Sequence, residues 1–272
     1  MPTLALKSFH GSNRHRHRHR HRHRHRARRS NSSKQTSEKV ARRLNQTLGP
    51  FGDAMRLYNL TSAEFAISNL ALRRIKISRI GDLNDPFELL PINIRDKKLR
   101  IAAQQTRNQI AETRGVICFS KDWSNPVLWS HYADKHRGIA LGFEVTERFA
   151  IPVSYEKALS KVEVDELLLG ADPSEDFGRM LLATKFDDWR YEKEYRVFID
   201  LTQHQSEGGL YFCSFDEHLK LNSVVLGARC EIPIGQVREL VSNYPYKVPV
   251  IRARMAFTKF AVTENRLHRE KA

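Results

Sequence analysis

The sequence has no long hydrophobic run. No stretch approaches the roughly 20 apolar residues that a membrane-crossing helix requires, and the opening Met1–Gly11 holds only a short apolar patch before polar sequence takes over. Neither a span nor a signal peptide is read, so the chain is expected to be soluble, unexported and without a membrane partner. Cysteine is scarce as well: three residues, Cys118, Cys213 and Cys230, stand far apart in a chain of 272 residues. They have no metal-ligand spacing, and a chain of this size needs no disulfide staples; a reducing, cytoplasmic compartment is expected. GxGxxG, the P-loop, GxSxG, HExxH and the aromatic signature of RNA-binding sheets are all missing, which argues against Rossmann, NTPase, hydrolase and metalloprotease classes. His131 and His136 are five residues apart, out of step with the four that align two ligands on one helix face, so no metal site is expected.

Acidic residues are nearly absent from the first 46 positions. Glu38 stands there against 14 Lys and Arg, which puts +13 of the formal +15 into this segment; the remainder has 32 bases against 30 acids. The basic character therefore belongs to a tail and not to a folded surface. From Asn13 to Arg29 the tail alternates Arg and His, with His at every second position from His15 to His25. It has nothing to bury and repels itself, so residues 1–46 are expected to be disordered, with some capacity for non-specific nucleic-acid or metal binding.

With 40% hydrophobic residues the rest can build a core. Met55–Leu60, Arg74–Ile80, Gly115–Ser120, Gly138–Val145 and Ile151–Tyr155 read as strands. Helical spacing appears at Ser62–Ala71, Ile94–Arg114, Asn125–Asp134 and Lys161–Lys185, the last broken at Gly170–Pro173. The final third offers strands at Trp189–Leu201, Leu210–Phe215, Ser223–Leu226 and Val248–Val262 and a helix at Ile234–Asn243. Strands outnumber helices without alternating regularly, which disfavours a doubly wound sheet. The expectation is one α+β domain over 47–272, with mixed, mainly antiparallel sheets and flanking helices.

Three constellations could carry chemistry. On a strand, Arg190, Glu192, Glu194 and Arg196 of WRYEKEYRVFID would share one face. They form either a self-neutralising charge ladder or a carboxylate pair kept ionised by arginines for work on a ligand. In VLWSHYAD, Trp129, His131 and Tyr132 could, with Ser120, wall a pocket for a planar ring; equally, the aromatics could be core anchors. The third, LNDPFE, is accounted for by turn chemistry at Asn84, Asp85 and Pro86.

Taken in order, LYNL, LNDPFE, GVICFS, LWSHYADKHRGIALGFE and KFDDWRYEKEYRVF resemble the blocks of the domain-of-unknown-function family 2971, over roughly residues 55 to 230. The chain is also similar, more distantly, to the ADP-ribosyltransferase superfamily. That resemblance implies a first strand holding the cofactor, here at Tyr58 and Asn59, with Asn59 standing where histidine or arginine is usual. It implies Ser120 and Tyr132, with Trp129 and His131 close by, around the nicotinamide of NAD. It further implies Glu194 as the group that stabilises an oxocarbenium-like state and Glu192 as the group that orients an acceptor. The function so implied is an NAD-dependent enzyme acting on a macromolecular acceptor, as a toxin or defence effector would. A non-catalytic module binding a nucleotide-like ligand or a partner protein is the alternative. Cleavage of a dinucleotide requires both acids to face an accessible hollow shared with aromatic rings, and acids sealed into ion pairs would count against it.

Overall fold

The computed structural model describes residues 53–87, 91–160, 180–204 and 206–268. The Arg/His tail, residues 47–52 and most of the expected helix over 161–185 lie outside them. The described residues belong to one compact unit that begins at Asp53. It is a mixed α and β structure built on a curled, mainly antiparallel sheet with few helices.

β1 (Ala54–Thr61) leads through Ser62, whose hydroxyl accepts from the Phe65 amide and caps α1 (Ala63–Leu72), into β2 (Arg74–Arg79). Asp96 caps α2 (Lys97–Thr113), which runs into β3 (Arg114–Ser120). Asn125 caps α3 (Pro126–Tyr132), with Pro126 in the first turn where no amide is missed. β4 (Ile139–Thr146), β5 (Ile151–Pro152), β6 (Ser154–Glu156), β7 (Thr184–Phe186) and β8 (Glu194–Asp200) follow. β9 (Tyr211–Ser214), β10 (Leu219–Leu226), α4 (Ile234–Ser242), β11 (Val250–Met255) and β12 (Val262–Glu264) complete the order.

The large sheet runs β12-β11-β10-β4-β1-β3-β2-β9, with β8 on β3 and β5 on β8; within it, among the described residues, only β10 and β11 pair in parallel. β4 lies between β1 and β10 and is covered on both faces. Leu141 and Phe143 pack with Leu57, Leu70, Leu221 and Val237, under α1 and α4. Ala140 on the opposite side packs with Trp129, Val225 and Ala253, under α3.

Between α3 and β4 the chain passes through three consecutive left-handed residues, Asp134, Lys135 and His136, none a glycine. The His136 amide donating to the Trp129 carbonyl at 3.1 Å, and the Gly138 amide donating to the Ala133 carbonyl at 2.8 Å, hold the turn. Gly138 is packed so closely that a Cβ would overlap the Thr61 carbonyl and the Ala133 backbone. Gly138→Ala is therefore expected to cost roughly 2–3 kcal/mol. Urea titration with an unchanged m-value is the check, and a loss below about 0.5 kcal/mol would contradict this packing.

Three expectations from the sequence are corrected here. Trp189–Leu201 is not one strand: Asp187–Glu192 forms a 3-10 helix, Lys193 turns left-handed, and the strand begins at Glu194. The Lys185 end of the expected helix is strand, because Thr184–Phe186 pairs in parallel with β6. Val248–Val262 is a hairpin of β11 and β12 with a loop between them.

Most important for the site, β3 has two partners along one flank. Its start pairs with β2 through Val116 and Ser78, and its end pairs with β1 through Ser120 and Tyr58. Between those two points the sheet is split, and a crevice opens over Ile117, Cys118 and Phe119.

Candidate functional site

The split is the mouth of a cavity of about 470 Å³. β1 contributes Tyr58 and Asn59, β2 contributes Ile75 and Lys76, and β3 contributes Cys118 and Ser120. Asn84 from the loop after β2, Tyr132 from α3, Lys185 from β7, and Glu192 and Glu194 close its polar end; Phe65 and Phe212 stand on the apolar side. Tyr58 is opposite Ser120, and Ser120 is opposite Glu194, so the three form one row across neighbouring strands. Partners directly opposite in a ladder project to the same face, which is why residues so far apart in sequence meet.

Glu194 is anchored before any ligand is considered. Its amide donates to the Tyr155 hydroxyl at 2.8 Å and its carbonyl accepts from the Val153 amide at 3.0 Å. Arg196, two residues along and on the same face, donates from Nε to Oε1 at 2.9 Å and from Nη2 to Oε2 at 3.1 Å. Lys185 Nζ reaches Oε2 at 3.3 Å, and the Cys118 thiol donates as well. Four donors fill the roughly four lone-pair sites of a carboxylate. Burial pushes the Glu194 pKa up, but the Arg196 and Lys185 charges outweigh it and hold it at about 2.

Glu192 differs. Tyr132 Oη donates to its Oε1, and Lys185 Nζ lies 2.7 Å from Oε2. These two donors leave acceptor capacity unspent. Burial raises its pKa above the ordinary carboxylate value; Lys185 opposes the shift and the Glu194 charge adds to it. The two acids are thus shifted in opposite directions, Glu194 down by its cations and Glu192 up by burial, a division common where carboxylates work as a pair. The 3-10 turn, not a shared strand face, brings Glu192 to Glu194, and Lys185 is the bridge between them.

Six of the eight residues singled out in the sequence line this cavity: Tyr58, Asn59, Ser120, Tyr132, Glu192 and Glu194. Two do not. Trp129 is fully buried in the smaller core cluster, where its indole donates to the Trp123 carbonyl at 2.6 Å and stacks on His136. His131 is exposed, lies outside the lining, and accepts or donates at 2.9 Å with the Tyr191 hydroxyl. Neither can stack on a ring held in the cavity. Two others have structural tasks: Asn59 Nδ2 donates at 3.0 Å to the Cys118 carbonyl, and Ser120 Oγ lies 2.6 Å from the Glu192 carbonyl and 2.8 Å from that of Asp122. Ser120 thereby fixes the backbone that presents Glu192.

Sequence reasoning missed Lys185 and Asn84. Lys185 opens the KFDDW block but sits at the end of a segment with helical spacing, where a lone lysine carries no signal. Asn84 is accounted for by turn propensity, yet its Nδ2 donates to Tyr132 Oη at 2.7 Å. Arg190, expected to flank the acids, instead pairs with Asp187 at 2.5 Å and the Tyr155 carbonyl at 3.0 Å.

Among the described residues no group of three His, Cys, Asp or Glu is placed to hold a metal ion, and no helix is long and apolar enough to cross a membrane. None of Cys118, Cys213 and Cys230 is in a disulfide. Comparisons with family models, with curated proteins and with solved structures give no match.

Proposed function

We propose that this cavity binds a nucleotide-like small molecule, with NAD the ligand to test first. The observation that carries the reading is convergence: five separate elements deliver Tyr58, Asn59, Ser120, Tyr132, Glu192 and Glu194 to one cavity. Its volume lies in the range of small-molecule sites, which are typically apolar with a few convergent polar groups. Tyr58, Phe65 and Phe212 line it as aromatic neighbours for a planar ring, the Arg74 guanidinium covering one face of Phe212 at 3.9 Å, and exposed Lys76 offers a cation for a phosphate. At the polar end two carboxylates are balanced by Lys185 and Arg196, so that end suits a neutral, hydrogen-bonding part of a ligand, such as ribose hydroxyls or an amide. Glu192 and Tyr132 are the groups with which it would bond.

Cleavage of NAD, with transfer to a protein or nucleic-acid acceptor, is a second reading, favoured by two neighbouring carboxylates that line one cavity with their pKa values shifted in opposite directions. Both acids face the hollow and its rings, but both are also ion-paired, and Glu194 is saturated. That pairing counts against Glu194 as the group that meets a developing cation; on this reading Glu192 takes the reactive role and Glu194 holds Lys185 in place.

NAD titrated into wild type and Glu192→Gln, followed by thermal shift and by nicotinamide release, tests both readings. Wild type is expected to gain about 2.7 kcal/mol at a hundredfold excess of ligand over Kd, and Glu192→Gln to bind at least tenfold more weakly. Nicotinamide released by wild type alone supports the enzyme; binding without release leaves a binding module. Absence of any shift with NAD, at concentrations up to millimolar, removes NAD as the ligand.

A further inference from the structure

The loop that joins β11 to β12 holds two phenylalanines in water. Phe257 and Phe260 are 89% and 102% exposed, and Met255 beside them is 41% exposed. Scattered exposed apolar residues are ordinary, but two full rings within four residues on a single loop are not, and turn chemistry does not call for phenylalanine. The loop is closed: the Ala256 amide donates to the Ala261 carbonyl at 2.8 Å, and the Ala261 amide to the Lys259 carbonyl at 2.9 Å. The rings are therefore presented by an ordered turn.

The hairpin's own charges next to the rings are of one sign, the nearest acid in sequence being Glu264 at the far end of β12. Lys259 lies between the two rings in sequence, the Arg254 guanidinium sits 4.4 Å above the Phe257 ring, and residues 251–263 contain no acid. The hairpin end thus combines apolar tips with a cationic collar. It matches an anionic interface in which rings enter the apolar layer and ammonium and guanidinium groups stay at headgroup level.

We propose that the β11–β12 loop is a docking point for an anionic lipid surface, reached without any crossing of the bilayer. It is independent of the cavity and its ligand.

The test is sedimentation of the full chain with vesicles of phosphatidylcholine alone and with about a third phosphatidylserine, comparing wild type with Phe257→Ser/Phe260→Ser. The basic tail also attracts anionic lipid, so each pair is measured at low salt and at about 0.5 M salt, where screening shrinks to roughly 4 Å and the rings are left to act. Wild type is expected to prefer serine-lipid over phosphatidylcholine vesicles at low salt and to keep the ring-dependent part of its binding at high salt; no preference between the two vesicles at low salt overturns the anionic surface. The double variant should partition about 100-fold less, tenfold per ring, if each ring gives up half its transfer energy. Both rings are exposed, so its unfolding temperature should match wild type, which separates a docking defect from a folding one. Equal partitioning of wild type and variant overturns the proposal and assigns vesicle binding to the tail. Failure of wild type to bind serine-lipid vesicles overturns it outright. Loss of single-stranded DNA binding by the variant, with vesicle binding unchanged, would give the rings to a nucleic acid instead.

Discussion

Arg196→Ala is expected to destabilise the protein by about 3–5 kcal/mol, because it breaks a buried ion pair from one side only. Arg196 is 1% exposed, and its guanidinium is committed to both oxygens of Glu194 and to the Leu182 carbonyl at 2.8 Å. Without it, two buried carboxylates share the single ammonium of Lys185, and the Leu182 carbonyl loses a donor. The same bookkeeping makes the double variant Glu194→Gln/Arg196→Met less damaging than the single one, since removing both charges leaves no uncompensated ion. Urea unfolding of the three proteins measures both differences. A loss below 1 kcal/mol in Arg196→Ala, or a double variant worse than the single, would show that the cluster is not closed in the way described.

Acid should expose the opposite behaviour of the two glutamates. The folded pKa of Glu194, about 2, lies below its ordinary 4.5. Its ionised form therefore adds stability above pH 4.5, and that stability drains away as pH falls from 4.5 towards 2. By linkage the contribution is about 3 kcal/mol. Glu192 is raised, first by burial, so its ionised form costs stability at neutral pH and the cost disappears as it takes up a proton. On acidification the Glu192 penalty is relieved first, and the Glu194 contribution is lost next. Urea midpoints for wild type, Glu192→Gln and Glu194→Gln from pH 7 to pH 2.5 give the difference curves that isolate each group from the other carboxylates. Glu194→Gln should lose the steep acid limb that wild type shows. If the two proteins keep parallel limbs below pH 4.5, Glu194 is not the clamped anion seen here.

Much of the site was legible because strand alternation and cap chemistry are local. Tyr58 and Asn59 stand in a strand bounded by Thr61 and the Ser62 cap, Ser120 ends an apolar strand, and Pro126 after Asn125 starts the helix that carries Tyr132. The spacing of Glu192 and Glu194 suggested one strand face. The left-handed turn at Lys193 shows why that was wrong: a lysine has no particular preference for that conformation, so nothing in the residue announces that the strand starts one position later. Trp129 and His131 were grouped with Tyr132 by nearness in sequence. At about 100° per residue His131 is turned roughly 200° from Trp129 and reaches the surface, whereas Tyr132 is only about 60° from Trp129 but stands at the last position of the helix, where its hydroxyl meets Glu192.

By itself the sequence determined most of the element types, the basic segment at 1–46 and six of the residues that reach the cavity, since each of these depends on neighbours within a few positions. Only the tertiary structure decided that β3 would pair with two strands and leave a crevice between them, that Lys185 would cross from another strand to bridge both glutamates, and that Arg196 and not Arg190 would saturate Glu194. Those are long-range pairings. They are set by register and by the need of every buried charge to find a partner, and no local pattern records which partner that will be.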